Sequence, residues 1–535
     1  MNSRYSMYLN KILLLFFTSV IVFNGCSPEK TEQSRPNILF CIADDQSFPH
    51  AGAYGCNWVK TPAFDKIAKN GLLFTQAYTC NAKCAPSRAA TLTGRNSWQL
   101  EEAASHVGYF PTKFKTVFEV LKEAGYQTGR TAKGWAPGIA RKIDGQSRQL
   151  IGKNYSALKT TPPAKGMSNI DYSANFEAFL EECPDGEPFA FWYGGIEPHR
   201  AYEYKSGVEK GGKNLSEIKK VPDYWPDNEV IRNDMLDYAF EIEYFDKHLQ
   251  SMLTALEKRG ILENTLIVVT SDNGMPFPRC KAQEYPSSCH MPLAIMWADG
   301  IKKSGRTITD FVSNIDFAAT FLEVTGINEA ESGMQSITGE SLVPIFKSEK
   351  SGRVEADRNY VLVAKERHDT GRPNDWGYPI RGIISDDFVY LKNYEPERWP
   401  TGMPETGYLD CDGSPTKTEI LDAFNTDKHK LWEMSFGKRG AEEFFDLQKD
   451  PDCANNLALN NTYLEKKEYW SEILKKKLKE QADPRTLGNG DVFDNYPIMP
   501  TQSRFYERFF NGEKMSSGWV NESDFRPEQN EKLSD

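Results

Sequence analysis

Asp44-Asp45 follow the apolar run NILFCIA at 37–43, and Asp272-Asn273-Gly274 follow TLIVVTS at 265–271. Adjacent aspartates repel one another and are costly to desolvate unless a cation lies between them. Asp44, Asp45, Asp272 and Asn273 therefore read as a hard-metal set, whose all-oxygen donors favour calcium or magnesium over zinc. Taken singly each pair also suits turn capping, Asp-Asn-Gly above all; their joint position after apolar runs favours the metal. A third run, PFAFWYGG at 188–195, leads into Glu197-Pro198-His199-Arg200.

The stretch CNAKCAPSRAATLTGR at 80–95 adds a different chemistry. Pro86 to Leu92 is compatible with a helix that Gly94 would stop, which puts Cys84 at or just before its N-terminus. Free backbone N–H groups and the helix dipole there favour anions and activate a thiol. Arg88, one turn on, would aim a fork of donors at an oxyanion. A Cys80–Cys84 disulfide is also compatible with the spacing.

The three apolar runs are short and nearly continuous, as strands buried on both faces of a mostly parallel sheet must be. KTVFEVLKEAGY before Gly125, and the stripe Tyr238, Ile242, Phe245, Leu249, Met252 and Leu256 before Gly260, read as helices between them. Strands alternating with helices give an α/β core, whose ligands bind beyond the carboxyl ends of the strands. After about residue 350, RNYVLVAKE and RGIISDDFVYLKNYE read as strands and YLEKKEYWSEILKKKLKEQA as a charged helix, a smaller α+β subdomain. The resulting division is 1–25 signal peptide, 26–35 tether, 36–350 catalytic domain, 351–485 α+β subdomain and 486–535 extended tail.

The formal net charge of −11 over 535 residues is spread along the chain, which excludes the electrostatic footprint of a nucleic-acid binder. Arg4 and Lys11 precede an apolar run from Ile12 to Phe23 that is too short to span a bilayer comfortably; Asn24-Gly25-Cys26 follow. This has the form of a bacterial lipoprotein signal in which Cys26 is lipidated, with an ordinary cleaved signal peptide as the alternative. Either form exports the chain, to the periplasm or the outer-membrane surface, with a lipid as its only membrane attachment. Ten cysteines would suggest disulfides in such a protein, but removing Cys26 leaves an odd number, and no CxxC pair or Cys/His cluster points to zinc.

Cys84-Ala85-Pro86-Ser87-Arg88 with Thr93-Gly94-Arg95 resembles the C-x-P-S-R and T-G-R signature of the formylglycine-dependent sulfatases. Asp44-Asp45, SDNG and the late AEEFFDLQKDPDCANNLA extend the resemblance over roughly 35 to 460. It implies an alkaline-phosphatase-like fold and calcium held by Asp44, Asp45, Asp272, Asn273 and modified Cys84. A maturation enzyme would oxidise Cys84 to formylglycine (3-oxoalanine), whose hydrate carries two hydroxyls on one carbon. One hydroxyl attacks sulfur; the other expels sulfate by re-forming the aldehyde, an exit that a plain thiol lacks. By position, Arg88 orients the formylglycine, Lys133 and Lys281 contact sulfate, and His199 protonates the leaving group.

Many relatives read G-K-x-H where this chain has Ala132-Lys133-Gly134-Trp135, so a family histidine is absent; His290 and His368 are the candidates to replace it. SDNGMPFPRCK and EPHR resemble the branch of heparan N-sulfatase (N-sulfoglucosamine sulfohydrolase), which also holds sulfatases of algal polysaccharides. The implied substrate is a sulfated oligosaccharide from ulvan, porphyran or a glycosaminoglycan, with His368, Trp376, Tyr378 and Arg381 as candidates for its pocket. The rival readings are a phosphatase or phosphodiesterase of the same superfold and a non-catalytic glycan-binding lipoprotein.

Overall fold

The computed structural model describes residues 35–515 and 519–531, so the signal-type segment and Cys26 lie outside the described residues. Its central sheet contains β1 (Asn37–Ala43), β2 (Leu72–Tyr78), β3 (Gln127–Ala132), β4 (Lys153–Asn154), β5 (Phe189–Gly194), β6 (Thr265–Ser271), β7 (His290–Met296), β8 (Arg306–Ile308) and β9 (Val312–Ser313). The order is β8-β2-β7-β6-β1-β5-β3-β4, with β9 also on β2. Only β7 runs against its neighbours; every other pairing is parallel.

The continuous apolar character of β1 has a direct cause. Ile38, Phe40 and Ile42 enter the core on one face, while Leu39, Cys41 and Ala43 enter the core on the other. Such a strand has no solvent face on which to alternate. Register then aligns the strand ends: Ala43 stands opposite Ser271, Ile42 opposite Gly194, and Ala132 opposite Gly194. Asp44, Lys133, the 195–199 loop and Asp272 therefore leave the sheet along one rim, as expected beyond the carboxyl ends of parallel strands.

Five helices matter here: α1 (Cys84–Thr93), α2 (Val117–Glu123), α3 (Glu229–Lys258), α4 (Asp316–Val324) and α5 (Leu464–Glu480). Thr116 caps α2 in a reciprocal box with Glu119, and Asn228 caps α3 by accepting from the Ile231 N–H. The stripe read for α3 is buried throughout.

A second, antiparallel sheet holds β10 (Tyr360–Lys365), β11 (Ile380–Ser385), β12 (Phe388–Asn393) and β13 (Glu442–Asp446) in sequential order. Leu474 and Leu478 of α5 pack with Ala364, Ile383, Tyr390 and Phe444 of this sheet. Its edge also reaches the 80–84 loop, where the Ala364 N–H donates to the Cys80 carbonyl oxygen at 2.9 Å. Residues after 485, read as an extended tail, instead fold back: Phe493 and Phe505 are buried, and the Gln529 side chain accepts from Tyr408 and Trp432. Their unperiodic aromatics are anchors spaced along an irregular path, which leaves no regular pattern to read.

Candidate active site

The helix read at 86–92 is α1, and it begins two residues earlier, so Cys84 is its first residue behind an extended Lys83. Gly94 ends it in the left-handed conformation, donating to the Ala90 carbonyl oxygen at 2.8 Å. All ten residues of α1 are buried. Ser87 fixes its first turn against β6 by donating to the Asp272 carbonyl oxygen at 2.6 Å. No disulfide involves Cys80 or Cys84 among the described residues.

Cys84 Sγ lies 3.3 Å from Asp44 Oδ1 and 3.7 Å from Asp45 Oδ1. Burial, then the charge of Asp44, pushes the thiol well above its ordinary pKa. Burial first, and the neighbouring carboxylates after it, work against the thiolate that a helix N-terminus would favour.

The four oxygen-donor residues converge as read. Asp45, in the left-handed region at φ 76°, donates its N–H to Asp272 Oδ1 at 3.0 Å. The Asn273 amide donates to Asp45 Oδ1 at 2.6 Å, while Asn273 Oδ1 is buried and has no hydrogen-bond partner among the described residues. One atom each from Asp44, Asp45, Cys84 and Asp272 lie within 4.8 Å of one another. Burial, opposed by Arg88, raises the Asp272 carboxyl, with Asp44 adding to the rise. Clustered buried carboxylates and an orphaned amide oxygen fit a hard divalent cation.

Cations ring this cluster. Arg88 donates from Nε to Asp272 Oδ2 at 2.7 Å and from Nη1 to the Lys133 and Gly134 carbonyl oxygens at 3.0 and 3.2 Å. Its Nη2 stands 3.5 Å from Asp44 Oδ1. Lys133 Nζ lies 2.8 and 2.6 Å from the two Asp44 oxygens. Burial alone would raise Asp44, but Lys133, Arg88 and His199 hold it well below the carboxylate range. Lys281 Nζ bridges Asp45 Oδ2 and Asp412 Oδ2, 2.6 Å from each.

His199 approaches from the β5 side, with Nε2 3.8 Å from Asp45 Oδ2 and its side chain 25% exposed. Nδ1 is 2.6 Å from the Arg200 carbonyl oxygen, which leaves Nε2 as the edge facing the cluster. Arg200 anchors this loop through a paired contact with Asp234, 2.7 Å on each branch.

The residues proposed for the sugar pocket fare differently. Arg381 is fully buried between Glu366 and Asp483, each 2.7 Å away, and so corrects to an internal ion pair. Tyr378 is also buried. His290 is stacked between Phe48 and Tyr78 and bonded to the Thr75 carbonyl oxygen, facing a separate cavity of about 380 Å³ rather than the cluster. His368 is buried against Asn81 Oδ1 at 2.8 Å, where it braces the loop before Cys84. Trp376 is 39% exposed beneath the Arg398 guanidinium. Trp135 turns into the core, its ring edge-on to Phe110.

Asp412 was not legible in the sequence, because it sits in YLDCDGS with no apolar strand leading to it. Lys83, His106 and Asp369 were missed as well: Lys83 Nζ and His106 Nδ1 lie 2.6 and 3.0 Å from Asp369.

Comparison with known proteins matches the geometry. The Sulfatase family model matches residues 36–327, more than half of the chain. An ulvan-active sulfatase of Formosa agariphila is 25% identical over 515 residues, covering 86% of this chain and 80% of that protein. Human N-sulphoglucosamine sulphohydrolase is 25% identical over 492 residues, covering 84% and 92%. A solved structure in complex with its substrate D-glucosamine-2-N,6-O-disulfate superposes with a TM-score of 0.61 at 21% identity, covering 84% of this chain and 98% of that one. A phosphonate monoester hydrolase of Agrobacterium radiobacter shares the fold at a TM-score of 0.55 and 17% identity, covering 85% and 97%. The matched span runs from the strand carrying Asp44, through Cys84 and Lys133, past Asn273 and Lys281; the chain belongs to the sulfatase family and is a sulfuric ester hydrolase.

Proposed function

We propose that the protein hydrolyses sulfate esters or an N-sulfate of a sulfated carbohydrate, with formylglycine formed from Cys84 as nucleophile. The observation that carries this reading is the position of Cys84: first residue of a buried helix, Sγ 3.3 Å from Asp44, ringed by Lys133, Lys281 and His199. Burial, then Asp44, raises the pKa of this thiol, which disfavours thiolate chemistry at the unmodified residue.

In this mechanism the oxygen of the hydrate attacks sulfur, the bond from sulfur to the leaving group breaks, and His199 Nε2 delivers a proton to the departing atom. The Arg200 carbonyl oxygen accepts from Nδ1–H, so Nε2 is the ring nitrogen that faces that atom. The second hydroxyl then gives its proton to His199 Nε2, now free to accept it, the carbon–oxygen bond to sulfate breaks, the aldehyde re-forms, and water adds to it to restore the hydrate. Lys133 and Lys281 contribute positive charge at the sulfuryl oxygens, and Arg88 fixes the loop carrying Lys133 relative to Asp272. Asp44, Asp45, Asp272 and Asn273 would hold calcium together with residue 84, and the ion supplies further stabilisation of charge on sulfate.

The sugar is proposed from the relatives: ulvan for the Formosa agariphila protein, N-sulfoglucosamine for the human one. An exported bacterial lipoprotein anchored through Cys26, matured by a formylglycine-generating enzyme and serving polysaccharide degradation, fits the N-terminal sequence. The shared fold of the phosphonate monoester hydrolase keeps a phosphoryl rival in view. Sulfate release from ulvan oligosaccharides and from D-glucosamine-2-N,6-O-disulfate by the parent and by Cys84→Ala tests the proposal. Release by the parent alone is expected; equal release by both, or release of phosphate but not sulfate, overturns it.

A further inference from the structure

Beside the catalytic cluster lies a polar annex with no part in the sulfuryl chemistry. Ser105 and His106 follow the short helical turn Glu101–Ala104, and residues 366–370 follow β10. The two segments are tied by the His106 N–H, which donates to the Arg367 carbonyl oxygen at 3.0 Å. Asp369 is held by its own N–H, bonded to Asp410 Oδ1 at 3.0 Å, and it engages His106 Nδ1 and Lys83 Nζ. Lys83 directly precedes Cys84 and also donates to the Asp410 carbonyl oxygen at 3.2 Å, so the annex borders residue 84.

More polar atoms gather here than the protein satisfies. Ser105 Oγ, His368 Nδ1 and Thr370 Oγ1 are buried without a hydrogen-bond partner among the described residues. His106 uses only Nδ1; its Nε2 makes no hydrogen bond among the described residues, and its side chain keeps 8% exposure. A buried polar group left unpaired is costly, so such a gathering marks a place where a ligand completes the bonding.

We propose that His106, oriented by Asp369, is a specificity-determining residue whose Nε2 accepts a hydrogen bond from a hydroxyl or amino group of the sulfated sugar. The proposal rests on the sulfatase reading and names what the same site recognises beyond sulfate. A carboxylate only accepts, so Nδ1 carries the hydrogen and Nε2 offers its lone pair. Sulfate oxygens also only accept, so Nε2 cannot read a second sulfate; it selects an O–H or N–H. Burial, opposed by Asp369, lowers the His106 pKa, and Lys83 and Lys133 add to the lowering, which keeps the ring neutral and the lone pair free. A site built to pair a donor rejects the analogue that lacks one, because its own acceptor is then stranded.

Binding measured by calorimetry in the catalytically inert Cys84→Ala background separates this from the reaction. The probes are D-glucosamine-2-N,6-O-disulfate, ulvan oligosaccharides and inorganic sulfate. His106→Phe keeps the ring volume and removes the acceptor. It should weaken the tightest-binding sugar about 10- to 100-fold while changing sulfate affinity less than about twofold. His106→Gln, which can still accept, should recover part of the loss, and Asp369→Asn should weaken the sugar in the same direction. The proposal is overturned if the Phe variant binds sugar like its parent, if sugar and sulfate weaken equally, or if no sugar binds more tightly than sulfate. Failure of the sulfatase reading would show separately, as absence of sulfate release by the protein that carries formylglycine at position 84.

Discussion

Lys281 and Asp412 form a buried ion pair at 2.6 Å that joins the C-terminal part of the chain to the acidic cluster around Cys84, since the same ammonium also touches Asp45. Burial works against the charge on Lys281, yet Asp412 and Asp45 raise its pKa well above the ordinary value. Asp412 lies beyond the span matched by the family model, on a loop pinned by Trp519, whose indole donates to the Leu409 carbonyl oxygen and whose own carbonyl accepts from Gly413. Asp412→Asn should lower kcat/KM about 10- to 100-fold with a smaller effect on the thermal midpoint, because Lys281 keeps Asp45 as partner. Steady-state sulfate release and thermal unfolding of the variant check this; an unchanged kcat/KM would remove Asp412 from the site.

Lys133 is expected to act as one donor to the sulfuryl group. Lys133→Ala should cost about 10²- to 10³-fold in kcat, the usual loss of one preorganised donor, and Lys133→Arg should restore only part. A variant with normal kcat and raised KM would instead assign Lys133 to ground-state binding.

The proposed cation should stabilise the fold, and its removal should destabilise it. Its ligands otherwise leave three carboxylates beside one another, and a ligand at a hundred times its dissociation constant contributes about 2.7 kcal/mol. A chelator should lower the thermal midpoint of the parent and added calcium should restore it, whereas Asp45→Asn should show neither response. The same chelator response in Asp45→Asn would place the ion elsewhere.

Glu241 gives a pH dependence with a definite sign. It is buried in α3 with neither carboxylate oxygen hydrogen-bonded among the described residues, and burial, then Glu197 and Asp237, raises its pKa well above 4.5. The folded state thus binds the proton more tightly than the unfolded state. The associated stability is fully present below about pH 4.5 and is lost as pH rises toward the folded value, at about 1.4 kcal/mol per unit. Glu241→Gln should raise the thermal midpoint relative to the parent at pH 8 and much less at pH 5. A variant less stable than the parent at pH 8 contradicts this sign.

Arg381 tests the correction to the sugar pocket. Arg381→Ala strands Glu366 and Asp483 and should destabilise the protein by about 3–5 kcal/mol, while KM of the remaining folded enzyme for the sulfated sugar stays near that of the parent. Denaturant unfolding and steady-state kinetics separate the two. A large rise in KM without loss of stability would return Arg381 to the substrate.

What the sequence made legible follows from where chemistry is local. β1 and β6 were readable to the residue because strands covered on both faces admit no polar interruption, and Asp44 and Asp272 follow them directly. Cys84 and Arg88 share one helix, so their relation is a matter of spacing. Asp412, Asp369 and His106 arrive on irregular loops from distant parts of the chain, and only tertiary packing brings them in. Arg381 and His368 were misread for the complementary reason: a basic or aromatic residue type does not reveal whether a buried carboxylate or amide already claims it.

The most direct test of the central claim is peptide mass spectrometry of residue 84 in preparations made with and without a formylglycine-generating enzyme, with sulfate release measured on each. The expected result is a rate of release proportional to the fraction of formylglycine at position 84 and absent where the thiol is intact. Full activity in protein that retains an unmodified Cys84 would contradict it.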